Sequence, residues 1–265
     1  MSKSGRQVDI IDRSAFSAAL VSTSWRSGSL DARAEALALG KQYLAAGRAE
    51  LEKRVANGAR GSALVSGYTF LIDEILGALH EHAAKRLFAG PNPTSGDRLA
   101  FVAVGGYGRA ELSPYSDIDL LFLHPWKLTA RSEQVVEYVL YMLWDLGFQV
   151  GHATRSIADC LSRAKGDTTI RTSILESRFL WGDEVLFNSL RQRFWDEIVP
   201  GSEGKFVAAK LRERDLRHQR TGDSRYMLEP NIKDGKGGLR DLHTLFWIAK
   251  YLYQVERFAE LVNRG

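Results

Sequence analysis

Apolar positions change period several times along this chain, and each change marks an element. Residues 31–56 are rich in Ala, Leu and Glu, which predicts a helix with Asp31 as its cap. Leu64, Tyr68, Leu71, Ile75 and Leu79 recur at helical spacing, which predicts a second helix over 62–88. GPNPTSGD at 90–97 has the composition of a loop. Two short apolar runs follow, at about 99–104 and 118–123, and read as strands covered on both faces. Val135, Val139, Met142 and Leu146 share one face of a helix over 131–146, with Gly147 as its C-cap. Phe148 to Thr154 reads as a third strand. Helices are then expected over Asp159–Ala164, over Thr168–Leu180 and from a cap at Asp183 to about Trp195. A charged helix over 203–220 ending at Gly222, and a last helix from a cap at Asp241 through Tyr253, complete the reading. Trp144, Trp181, Trp195 and Trp247 fall in these apolar helices and read as core. Helices and strands mix before residue 165, and only helices and a glycine-rich loop follow it. The expected fold is α+β: a tail and helix over 1–60, a mixed domain over 61–165 and a helical domain over 166–265.

The candidate chemistry lies where the two strands begin and end. Val102–His124 reads VAVGGYGRAELSPYSDIDLLFLH. The first apolar run ends in Gly105 and Gly106, with Gly108 and Arg109 just beyond. These glycines permit positive φ and close approach, so backbone N–H groups can hold phosphate oxygens. Arg109 adds a forked positive charge, which can meet a phosphate or pair with Glu111 or a strand-end carboxylate. The second run opens with Asp117-Ile118-Asp119. Side chains alternate along a strand, so both carboxylates point the same way. Two adjacent carboxylates repel unless a cation lies between them, and Mg²⁺ accepts one or two carboxylates plus phosphate oxygens. Either fragment alone is weak, because Asp-x-Asp is commonly a cap and Gly-Gly commonly a loop. Together, at the ends of two buried strands, they point to metal-dependent nucleotidyl transfer. There is no G-x-x-x-x-G-K-[ST] and no G-x-G-x-x-G after a strand. Ser113 and Ser116 flank Pro114-Tyr115 and shape the turn before Asp117, and Ser116 is also a candidate nucleotide contact.

GGYGRAELSPYSDIDLLFL resembles the nucleotidyltransferase domain of the PII uridylyltransferase/uridylyl-removing enzymes, a polymerase-beta-like mixed sheet with helices. Glu176–Asp183, ESRFLWGD, and Pro230–Ile248, PNIKDGKGGLRDLHTLFWI, are similar to the helical region that follows in that family. The resemblance covers roughly 60–265, and glutamine synthetase adenylyltransferase is a more distant relative. It implies UTP as donor, a tyrosine of a PII protein as acceptor, and Mg²⁺, or Mn²⁺ in its place, on Asp117 and Asp119. Gly105, Gly106, Gly108 and Arg109 then face the triphosphate. Most relatives of this class carry a third carboxylate on a later strand, but Phe148–Arg155 holds no acid. His152 is then either an accessory ligand or a satisfied strand-end histidine, and Glu176 either the missing acid or half of an ion pair. Lys233, Lys236 and Arg240 surround the glycine-rich loop and either line the cleft or form a solvated connector. The alternatives are an adenylyltransferase or other protein nucleotidyltransferase on the same scaffold, and a truncated, non-catalytic binding module.

Composition narrows this picture. The net charge of +4 is modest, and no basic run interleaves with aromatics, so a nucleic-acid partner is not expected. Cys160 is the only cysteine, which excludes an intramolecular disulfide and fits a cytoplasmic protein. No signal peptide is visible, and the apolar runs read as too short for a bilayer span. Ser2, Lys3, Ser4, Gly5 and Arg6 read as a disordered tail. None of the six histidines precedes an aspartate, so the His-Asp signature of the uridylyl-removing half is not expected to act here. The chain stops at Gly265 without an obvious domain end and reads as the N-terminal part of a multifunctional enzyme.

Overall fold

The computed structural model describes residues 9–23, 30–90, 94–220 and 231–255, with residues 229 and 260. The Ser2–Arg6 tail, positions 91–93 of the expected loop and the Gly222 helix end lie outside these residues. The chain divides into two compact units: Met1–Ala158 with Glu176–Ser189, and Asp159–Leu175 with Leu190–Gly265.

The first unit opens with α1, Arg13–Ser22, which the apolar pattern did not reveal. Asp12 caps it by accepting from Ala15 N at 3.0 Å. Helix α2 spans Leu30–Ala56, so Asp31 lies within it rather than capping it. Helix α3, Gly61–His82, runs into a π-helical turn at Ala83–Leu87. Gly61–Leu87 is long and apolar enough to cross a membrane by length and composition, which the apolar runs alone had not suggested. Its face of Leu71, Ile72, Ile75, Leu76 and Leu79 is fully buried in the core. Each such side chain contributes roughly 1.5–3 kcal/mol by leaving water.

That core packs one face of a mixed sheet in the order β3-β2-β1-β4. Strand β1 is Ala100–Ala103 and β2 is Ile118–His124, paired antiparallel with Phe101 opposite Phe122. Strand β3, Val150–Ser156, starts later than its apolar pattern suggests and pairs parallel with β2. Between them lies α4, Ala130–Asp145. Thr129 caps it, and Gly147 follows it at φ +88°, as expected for a helix C-terminus. Phe101, Ala103, Ile118, Leu120 and Phe122 face the helices. Asp119, Leu121 and Leu123 alternate onto the other face.

Strand β4, Arg178–Gly182, corrects the all-helical reading of the chain beyond residue 165. It pairs antiparallel with β1, so Trp181 belongs to a strand. The Trp181 Nε1 donates to Asp73 O at 2.8 Å, and the Arg13 guanidinium lies 3.8 Å from its ring centroid. Trp144 is 42 % exposed rather than core. Asp183 caps α7, Glu184–Glu197, by accepting from Leu186 N, and also pairs with Arg98.

Helices α5, Ile157–Gly166, and α6, Thr168–Leu175, follow β3 in the chain. The second unit holds α6, α8 (Glu203–Arg220) and α9 (Leu239–Tyr253). Phe206 stacks on Tyr251 at 3.9 Å, and Ser202 Oγ lies 2.8 Å from the Tyr251 hydroxyl. Gly238 occupies the N-cap of α9, so Asp241 stands inside the helix and accepts from Gly237 N at 2.8 Å instead of capping.

Candidate active site

The sheet brings together the glycine turn after β1 and the carboxylates before and on β2. Gly105–Gly108 forms one helical turn after the extended Val104. Val104 N donates to Asp119 O at 3.0 Å, which ties the start of the turn to β2. Of the positive φ and close approach that the three glycines permit, Gly105 uses the first, at φ +60°, and Gly106 and Gly108 do not. A Cβ on Gly105 would stand 3.1 Å from Asp119 Oδ2. Gly108 serves a different need, because a Cβ there would stand 2.2 Å from Glu176 O and 3.0 Å from Ala103 O. Gly106 is open, with Arg109 Nη2 at 3.6 Å from a Cβ position.

Asp117 is exposed immediately before β2, and Asp119 is half-buried on it. Ile118 between them is fully buried, as the alternation of a strand requires. Burial, and then the neighbouring Asp117 charge, hold the Asp119 carboxyl above the usual carboxylate range. Opposite Asp119 in register stands Gly151, where a Cβ would lie 2.5 Å from Asp119 Oδ1. The Asp119 carboxylate thus lies between two glycines from separate elements. Gly151 is a site residue that pattern reading missed, because only the β2–β3 register reveals it. Two acids that repel, one exposed and the other half-buried between glycines, fit a hard divalent cation that takes its remaining ligands from phosphate.

No group of three His, Cys, Asp or Glu suited to a metal occurs among the described residues. His152 pairs with Leu120 and therefore faces away from Asp119. Its ring meets Phe122 and Trp144 at 6.5 and 6.0 Å, which removes it from the carboxylate cluster. On the aspartate face β3 offers Gly151, Ala153 and Arg155, with no acid.

Glu176 meets Arg109 rather than the aspartates. Arg109 Nη1 donates to Glu176 Oε1 at 2.6 Å, and Nε to Glu111 Oε2 at 2.8 Å. The expected Arg109–Glu111 pair is therefore present, with a second carboxylate added. Burial works against the Arg109 charge, but Glu176 and Glu111 outweigh it and hold the guanidinium above its ordinary value. Arg178 pairs with Asp73 at 2.8 Å and also donates to Tyr107 O at 3.1 Å, which fixes the middle of the turn. Ser116 is exposed, and its N–H closes a turn onto Ser113 O at 3.1 Å. Within that turn Tyr115 is 97 % exposed at φ +67°.

The other basic candidates belong to the second unit. Asn231 Oδ1 accepts from Lys233 N and Asp234 N, which folds the loop on itself. Arg240 Nε lies 3.9 Å from Asp234 Oδ1. Lys236 lines a cavity of about 840 Å³ with Arg214, His218, Asp241 and Leu245. His218 Nε2 lies 2.9 Å from Asp241 Oδ2, and Arg217 Nη2 donates to Asp241 Oδ1 at 2.6 Å.

Residues 93–179 match the nucleotidyltransferase domain family, and residues 205–265 match the GlnD PII-uridylyltransferase family. A bifunctional uridylyltransferase/uridylyl-removing enzyme of Rhodospirillum rubrum is 50 % identical over 97 % of this chain and 28 % of its own length. Enzymes of the same name from Azospirillum brasilense and Caulobacter vibrioides are 57 % and 56 % identical. Those alignments cover 82 % and 85 % of this chain, and 23 % and 24 % of the relatives. The chain thus spans about a quarter of the length of the curated relatives it matches.

Proposed function

From a chain that carries a nucleotidyltransferase domain, the transferase class its sequence pointed to, and that resembles the N-terminal region of PII uridylyltransferase/uridylyl-removing enzymes, we propose the following activity. The protein transfers UMP from UTP to a tyrosine hydroxyl of a PII protein and releases pyrophosphate. The observation that carries this reading is the Asp119 carboxylate, set beside Asp117 and between Gly105 and Gly151. Asp117 and Asp119 would hold Mg²⁺ or Mn²⁺. Bound there, the cation would neutralise charge on the phosphates and polarise the attacking hydroxyl. Gly105 and Gly106 shape the surface toward the triphosphate, buried Gly108 lets the turn pack against Glu176 O, and the Arg109 guanidinium offsets the phosphate charge. Asp119 also assists removal of the acceptor proton. The acceptor oxygen bonds to the α-phosphorus as the bond to pyrophosphate breaks. The solitary buried Cys160 and the modest charge suit a cytoplasmic protein that acts on nucleotide and protein rather than nucleic acid.

The test is a transfer assay. The chain is incubated with Mg²⁺, PII protein and UTP or ATP labelled in the α-phosphate. Label on PII from UTP, matched by pyrophosphate release, is the expected result. Label from ATP alone would make it an adenylyltransferase, and no label from either would leave a binding module.

A further inference from the structure

Glu176 touches the glycine turn twice, although it lies far along the chain. Its side chain, 3 % exposed, accepts from Arg109, and its backbone carbonyl occupies the space that a Cβ on Gly108 would fill. The turn closes on itself through Gly108 N to Val104 O, Arg109 N to Gly105 O, Ala110 N to Tyr107 O and Glu111 N to Gly106 O, at 3.0, 3.2, 3.1 and 3.0 Å, but none of these bonds orients the Arg109 side chain. Ala110, the next residue, holds φ +60°, a region that a residue with a Cβ adopts only when its surroundings impose it. A buried ion pair is a poor device for stability alone, because an apolar pair of the same shape commonly does as well. It is a good device for aiming a planar, forked donor. Here Glu176 and Glu111 take Nη1 and Nε, and Nη2 is left on the Gly106 side of the turn.

We propose that Glu176 is a positioning residue, which clamps Arg109 and Gly108 so that the Gly105–Arg109 turn is preformed for a nucleoside triphosphate. This rests on the reading of the turn as the phosphate site, and it gives Glu176 a role other than that of a third metal ligand. Glu176 acts through Arg109 and touches neither metal nor reacting atoms.

The experiment compares Glu176→Ala, Glu176→Gln and Arg109→Lys with the parent chain. UTP affinity is measured by calorimetry with Mg²⁺ and without acceptor, and kcat and both KM values are measured with PII. Glu176→Ala should weaken UTP binding and raise the KM for UTP by about 10-fold or more, with the KM for PII unchanged. Glu176→Gln keeps the acceptor oxygen and should regain most of that loss. Arg109→Lys cannot reach both carboxylates and should weaken UTP binding even if Glu176→Ala does not fold. Parent-like UTP affinity in folded Glu176→Ala or in Arg109→Lys would overturn the proposal. So would a loss confined to kcat that Glu176→Gln does not restore, as a metal ligand would give. Asp119→Asn separates the two readings: normal transfer by that variant would defeat the metal-site reading, while the binding series still decides the role of Glu176.

Discussion

Two glycine turns, each followed by a helix or strand with an acid, can be set side by side. In the first unit the nearest contacts of Gly105, Gly108 and Gly151 come from residues distant in sequence, Asp119 and Glu176, and only Gly108 adds a local one, Ala103 O. In the second unit Gly235 and Gly238 are crowded by their own loop, by carbonyls of Asn231, Ile232, Lys233 and Gly235. The acids differ in sign as well. Asp119 is raised by burial and by a like charge. Asp241 is lowered: burial pushes it up, but Gly237 N, Arg217 and His218 push it down further. The second turn satisfies its acid internally, whereas in the first unit Asp119 stands half-buried beside a like charge. Glycine content therefore does not distinguish a site from a cap. What distinguishes them is whether the crowding groups are local and whether the charge is balanced.

The largest effect that can break this contrast is charge removal in the first turn. Asp117→Asn and Asp119→Asn should each lower kcat for transfer by at least about 100-fold while far-UV dichroism stays unchanged. Parent-like turnover in both would make the first turn as passive as the second.

How much of this was legible before the fold was known follows from the same contrast. Asp117-Ile118-Asp119 and the Gly105-Gly106 pair stood out because they flank two buried apolar runs, and strand period alone aligns the acids. The Arg109–Glu111 pair was within reach for the same local reason. Three features were not legible, because each depends on pairing across the chain. Gly151 acquires meaning only from its register with Asp119. Glu176 meets Arg109 from 67 residues away. Phe179-Leu180-Trp181 continues an apolar helical pattern, and only pairing with β1 makes it a strand. Helix α1 was missed for another reason: its ten residues, RSAFSAALVS, are rich in serine and short, although Asp12 was a usable cap signal.

Smaller effects sharpen the comparison. Gly108→Ala drives a Cβ toward the Glu176 carbonyl, a backbone atom that cannot swing aside. It should cost about 1–3 kcal/mol of stability, read as a lowered urea midpoint. Gly151→Ala displaces a carboxylate oxygen instead, so the fold should survive. The concentration of Mg²⁺ needed for half-maximal transfer should rise by roughly 10-fold, as for groups that orient a metal ligand. An unchanged Mg²⁺ requirement would show that Asp119 does not need the space.

Asp241→Asn tests the second turn and should act on stability by about 1–2 kcal/mol at neutral pH, through weaker hydrogen bonds to Gly237, Arg217 and His218. The sign with pH is fixed by the lowered Asp241 carboxyl. Its ionised form stabilises the fold above the ordinary aspartate value, and that contribution is lost as pH falls through the lower folded value. Thermal melts of Asp241→Asn and the parent should therefore differ at neutral pH and converge in acid. A gap that widens on acidification would reverse the assignment.

The central claim is that the first turn and its two aspartates form one metal–nucleotide site. It is tested most directly by titrating UTP into the chain with and without Mg²⁺, for the parent and for Asp117→Asn and Asp119→Asn. The parent should bind UTP more tightly with Mg²⁺, and each substitution should abolish that metal dependence. Metal-independent UTP binding that both variants retain unchanged would contradict the account.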